Sequence, residues 1–66
     1  MPMRSREMIK LLKKNGFVEV SQRGSHLKMQ NVLTNKTVVV PVHSRELKYG
    51  MQEAILKQAG IKEEAV

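Results

Sequence analysis

Phe17-Val18-Glu19-Val20-Ser21-Gln22-Arg23-Gly24-Ser25-His26-Leu27-Lys28-Met29-Gln30 is the stretch that decides the fold of this chain. Apolar and polar residues alternate on both sides of its centre, the period-two pattern of strands with one face against a core. Phe17 to Ser21 reads as one strand and His26 to Gln30 as the next. Gln22 to Ser25 forms the turn, with Gly24 able to adopt the backbone angles a tight reversal needs. Regular alternation places Val18 and Val20 with Leu27 and Met29 on the inner face. It turns Phe17, Glu19 and Ser21 the other way, and His26, Lys28 and Gln30 outward.

Working outward from the hairpin, Asn31 to Lys36 holds a second turn centred on Asn35-Lys36. Thr37-Val38-Val39-Val40-Pro41-Val42 makes a third strand, adding Val38 and Val40 to the core. Pro41 has no N–H for a ladder, which assigns it to an edge strand or a strand end. Upstream, Met8, Leu11 and Leu12 recur at helical spacing, with Lys10, Lys13 and Lys14 largely opposite. A helix over Arg6 to Asn15 follows, capped by Ser5 and ended by a left-handed Asn15-Gly16. Downstream, His43 to Leu47 is a connector that begins to turn helical. Lys48 to Ala59 is a second helix with Met51, Ala54, Ile55, Leu56 and Ala59 as its apolar face. Gly60 stops it, Ile61 folds back to pack, and Lys62 to Val66 is a frayed tail. Gly50, costly near a helix start, suggests close approach of a neighbour or ligand. The fold class is α+β, in the order α-β-β-β-α. Its three-stranded antiparallel sheet carries both helices on one face and leaves the other open.

Sixty-six residues make a single domain, 1–66, with a thin core; a chain this short buries only about 60% of its unfolded surface. The absence of cysteine fits a reducing cytoplasmic setting, and no signal peptide or membrane span is legible. Twelve Lys and Arg against six acids give a formal charge of +6. That surplus favours a polyanionic partner, nucleic acid ahead of a membrane surface, although lysine also serves plain solubility.

The acidic residues narrow the chemistry. All are glutamates, Glu7, Glu19, Glu46, Glu53, Glu63 and Glu64, scattered over helices and tail. No converging carboxylates mark a two-metal nuclease, and His26 and His43 alone do not make a zinc site. The expectation is no metal and no cofactor. Ser25 and His26 are adjacent, so on a strand they point to opposite faces and make a poor nucleophile-base pair. Metal-free RNA cleavage asks for less. The substrate's own 2′-hydroxyl attacks the neighbouring phosphorus, and the protein supplies a base and cationic stabilisation. His26 can be that base, since an unperturbed imidazole titrates at about pH 6.5. Arg23 and Lys28 can meet the phosphate oxygens. Gly24 and Ser25 shape the turn and can approach a phosphate. A strand histidine is nonetheless more often an ordinary surface residue, so a non-catalytic RNA-binding module is the alternative, with a protein-interaction domain as a third reading. His43 is either a general acid paired with His26 or a polar residue closing the third strand. Phe17 is read as helix–sheet packing, while Tyr49 can serve packing or base stacking.

Several pieces taken together resemble the HicA family of toxin mRNA interferases, also described as YcfA-like proteins. They are Leu11-Leu12-Lys13-Lys14-Asn15-Gly16-Phe17, Arg23-Gly24-Ser25-His26, Val38-Val39-Val40-Pro41-Val42-His43, Leu47-Lys48-Tyr49-Gly50-Met51, and Ile55-Leu56-Lys57-Gln58-Ala59-Gly60-Ile61. The resemblance implies a fold like the double-stranded-RNA-binding domain and endoribonuclease activity on mRNA. It implies His26 as the catalytic residue. It also implies a HicB-type antitoxin that binds the toxin in a hetero-oligomer and blocks its site, with DNA contacted only through the antitoxin. Leu27 and Met51 depart from the family pattern, which often has a polar or aromatic residue after Gly-Ser-His and a threonine after the helix-opening glycine.

Overall fold

A computed structural model describes residues 3–42 and 46–61. The chain runs α1 (Ser5–Lys14), β1 (Phe17–Arg23), β2 (His26–Asn31), β3 (Thr37–Pro41) and α2 (Tyr49–Ala59). The strands form one antiparallel sheet in the order β1-β2-β3. The element order and the α+β class are those read from the sequence. His43 to Arg45 and Lys62 to Val66 lie outside the described residues, so the readings of His43 and of the tail fall there.

The hydrophobic core joins Met8 and Leu12 of α1, Phe17, Leu27, Met29, Val38 and Val40 of the sheet, Leu47, and Ile55, Leu56 and Ala59 of α2. The buried residues of β2 and β3 share one side of each strand, so both helices cover one face and the other stays open. In α1, Met8 and Leu12 are four apart and stack on one stripe, while Lys10, Lys13 and Lys14 are exposed. The helix starts one residue earlier than expected. Arg4 is the cap position, and its N–H donates to Glu7 Oε1 at 2.8 Å. Ser5 is therefore not the cap; it is buried, and its hydroxyl donates to the Pro41 carbonyl at the end of β3. At the other end Gly16 has φ +94, with Asn31 Nδ2 3.3 Å from where a Cβ would stand. Only glycine meets both demands without displacing that amide.

α2 buries Gln52, Ile55, Leu56 and Ala59, a clean i, i+3, i+4, i+7 stripe. The expected face was rotated by about one residue: Met51 is 47% exposed and Ala54 is exposed as well. Gln52 takes the inward place because it has a partner, its Oε1 accepting the Met3 N–H at 2.6 Å. The Leu47 N–H donates to the Met3 carbonyl at 2.7 Å, so the N-terminal strap ties α2 and its lead-in together. Gly60 ends the helix in the left-handed region and Ile61 folds back with its N–H on the Leu56 carbonyl, as expected. Gly50 does not mark a close approach, since a Cβ there would meet nothing within 4 Å.

The largest departure lies in β1. Val18 and Val20 are 47% and 49% exposed, whereas Phe17 is 2% exposed. The expected inner pair is thus outside and Phe17 is inside. The cause is a β-bulge between Glu19 and Ser21, where two residues of β1 stand against one of β2. Beside the turn the register is regular, Arg23↔His26, Gln22↔Leu27 and Ser21↔Lys28. Beyond the bulge it slips by one, giving Glu19↔Met29, Val18↔Gln30 and Phe17↔Asn31. A one-residue slip exchanges the faces of a strand, so Phe17 drops beneath the helices and Val18 emerges.

Candidate functional site

The β1–β2 turn is made by Gly24 and Ser25 alone, with β1 reaching two residues further than expected. Gly24 has φ +56 and Ser25 is not in the left-handed region. A positive φ at the first central position alone is the pattern of a type II′ hairpin turn, whose twist matches the strands it joins. Gln22 Nε2 donates to the Gly24 carbonyl at 3.0 Å, and the Val42 N–H donates to the Ser25 carbonyl at 2.7 Å. The turn is thereby tied to β1 on one side and to the exit of β3 on the other. Ser25 is half-buried in this arrangement and Gly24 is exposed.

His26 opens β2. It pairs with Arg23 on one side and Pro41 on the other, and its side chain is exposed on the open face. Side chains directly opposite in an antiparallel pair have Cβ atoms about 4.5–5.5 Å apart, so the guanidinium and the imidazole leave the sheet as neighbours. Lys28 lies two residues along the same strand and therefore on the same face, roughly 7 Å from His26. It stands between Ser21 and Val39. Three of the residues singled out from the sequence, Arg23, His26 and Lys28, thus converge on one exposed face, while Gly24 and Ser25 form the turn that aims them. Tyr49 is exposed at the start of α2, and Phe17 packs beneath the sheet. Phe17 is accordingly a packing residue, as expected.

Among the described residues no three histidine or carboxylate side chains come together in a way that could hold a metal ion. The shortest acid–base contact is Lys13 Nζ to Glu19 Oε2 at 2.8 Å, with both side chains about half exposed. It links α1 to β1 away from His26. The lysine most firmly tied to an acid is therefore one on α1, and Arg23 and Lys28 keep their charge for whatever approaches the open face.

The far end of the hairpin is held by a residue that sequence reading passed over. Asn31 is 6% exposed. Its Nδ2 donates to the Asn15 carbonyl at 2.9 Å, and its Oδ1 accepts the N–H groups of Leu33 and Thr34 at 2.8 and 3.2 Å. One side chain thus closes the β2–β3 turn and fastens it to the end of α1. Asn35 has φ 64, in line with the turn expected around it. The signal available beforehand was an asparagine at a strand end followed by further turn residues.

A two-layer α-β-β-β-α domain with a histidine and two cations on its uncovered sheet face belongs to the small basic proteins built to meet a polyanion. The family is more specific. The model of the HicA toxin of bacterial toxin–antitoxin systems matches residues 5–61, which spans every element described above. The chain belongs to the HicA toxin family. No curated protein matches the chain closely enough to add a relative.

Proposed function

We propose that this toxin is a metal-independent endoribonuclease that cleaves mRNA in the cytoplasm, with His26 as the general base. The observation that carries the reading is the cross-strand pair Arg23↔His26 on the open face, with Lys28 next along the same strand. The unprotonated imidazole takes the proton of a substrate 2′-hydroxyl. The 2′-oxygen bonds to the adjacent phosphorus, and the bond from phosphorus to the 5′-oxygen breaks. A 2′,3′-cyclic phosphate and a 5′-hydroxyl result, the leaving oxygen taking its proton from water. Arg23 and Lys28 meet the negative charge that builds on the non-bridging oxygens, where a fixed cation does most. Gly24, with no side chain, and Ser25, with a short one, leave the turn low enough for the phosphodiester to approach. DNA lacks the attacking hydroxyl, so the route selects RNA by its chemistry, and single-stranded RNA supplies the freedom for in-line attack.

Family membership brings an antitoxin as partner. In this reading a HicB-type antitoxin forms a hetero-oligomer with the toxin, and any DNA contact is the antitoxin's. The test is cleavage of a single-stranded RNA in excess EDTA by the purified chain. Wild type cuts, and His26→Ala loses 10²–10⁴-fold in rate, about the usual contribution of a general base. Full activity in His26→Ala would sink the mechanism. Salt-sensitive RNA binding without any cleavage would instead favour a non-catalytic RNA-binding module.

A further inference from the structure

The bulge in β1 leaves valines where a solvated sheet face would carry polar residues. Val18 and Val39 are each 47% exposed and Val20, at the bulge, is 49% exposed. Val39 pairs with Lys28 and Val18 pairs with Gln30, so both lie on the face that carries His26. They sit on the two outer strands, roughly 10–12 Å apart, with Lys28 and Gln30 between them on β2. We infer that this half of the open face is the anchor for the antitoxin, whose contact surface presents two apolar side chains bracketing a carboxylate that meets Lys28. The inference rests on the toxin reading above and adds a division of labour to it. RNA is held at the Arg23–His26 end, and the antitoxin grips the valine end while its bulk covers the rest.

The chemistry of the surface separates the possible occupants. Valines offer no hydrogen bond to a base and no ring to stack on, and the two aromatic residues of the chain lie elsewhere, Phe17 in the core and Tyr49 on α2. RNA therefore gains little from this half. A second copy of the chain would bring its own Arg23 and Lys28 against these, like charge on like. Strand addition is discouraged at both edges, because β1 is bulged and β3 is five residues long and ends in Pro41. What remains is a protein that docks on the face with apolar and acidic side chains, and the antitoxin is the protein that family membership supplies.

The test uses the triple variant Val18→Thr, Val20→Thr, Val39→Thr, which keeps β-branched side chains in the strands and so preserves their propensity. Its binding to the purified antitoxin encoded in the adjoining reading frame is measured by titration, and its RNA cleavage is measured separately. Each lost methyl contact is worth roughly fourfold in affinity, so the triple variant is expected to weaken antitoxin binding by about tenfold or more. RNA cleavage is expected to stay within about threefold of wild type. Thermal unfolding checks the fold; should the triple variant melt, Val18→Thr and Val39→Thr are read singly for the fourfold loss. Unchanged antitoxin affinity overturns the inference, as does a failure of that protein to bind wild type. Lost cleavage with intact antitoxin binding assigns the patch to RNA and overturns it too. The binding arm needs no nuclease activity, so a chain that never cuts RNA refutes the catalytic reading and still leaves the docking claim decidable.

Discussion

The two halves of β1 obey different masters. From Ser21 to Arg23 the register is dictated by the two-residue turn, which pairs Arg23 with His26 and aims both outward. From Phe17 to Glu19 it is dictated by the helices, which take Phe17 into the core at 2% exposure. The two demands differ by one residue, and the bulge between Glu19 and Ser21 reconciles them. Without it a regular hairpin from the same turn would bury Val18 and Val20 and leave Phe17 in water. A phenylalanine removes more apolar area than a valine and fills the space under α1, so core packing wins on its own half. The local turn wins on the other, where the candidate chemistry sits. The lesson is that a functional face and a packed core can be specified separately within one seven-residue strand.

Substitutions on the two sides should therefore separate stability from activity. The largest stability effect is expected at Phe17. Phe17→Ala removes a buried ring and should cost about 3–5 kcal/mol in denaturant unfolding, enough to melt a domain this small. A loss below about 1 kcal/mol would mean that the bulge register is not the one adopted. Asn31→Ala comes next, at roughly 2 kcal/mol, since it leaves the Asn15 carbonyl and two turn N–H groups without their shared partner. Hydrogen exchange should quicken at Leu33 and Thr34 in that variant, and unchanged protection there would remove Asn31 from its assigned role.

On the turn side, Gly24→Ala meets no clash, because nothing lies within 4 Å of the added carbon. Its cost is that of a positive φ alone, about 1–2 kcal/mol. If the turn aims His26 and Arg23, RNA cleavage should fall further than the fraction unfolded explains. A fall that matches unfolding would make the turn a connector only. Smallest of all is Val18→Thr, expected within about 0.5 kcal/mol of wild type because the side chain is half exposed. A large destabilisation there would restore Val18 to the core and erase the contrast between the halves.

Much of this was legible beforehand. The order of elements, the glycine stops at Gly16 and Gly60, the edge position of Pro41 and the outward turn of His26 all follow from local patterns, namely period, caps and the missing proline N–H. The hidden parts depend on distant partners. A bulge leaves no local mark in Val18-Glu19-Val20, where alternation is perfect, and only the competition for the space beneath α1 reveals it. Gln52 displaces Met51 from the inner stripe because Met3, 49 residues away, offers an N–H. Asn31 acts through Asn15, on another element. The site itself was readable because its members lie within six residues, from Arg23 to Lys28, and are positioned by a turn whose chemistry is local.

The account rests on His26 as the residue that makes the open face harmful, and growth after induction asks that question of the whole chain in its own setting. Wild type should arrest growth within the first generations after induction, and His26→Ala, made to the same level and folded, should not. A culture that stops growing equally under both would contradict the central claim, for the toxicity would then arise from some other part of the surface.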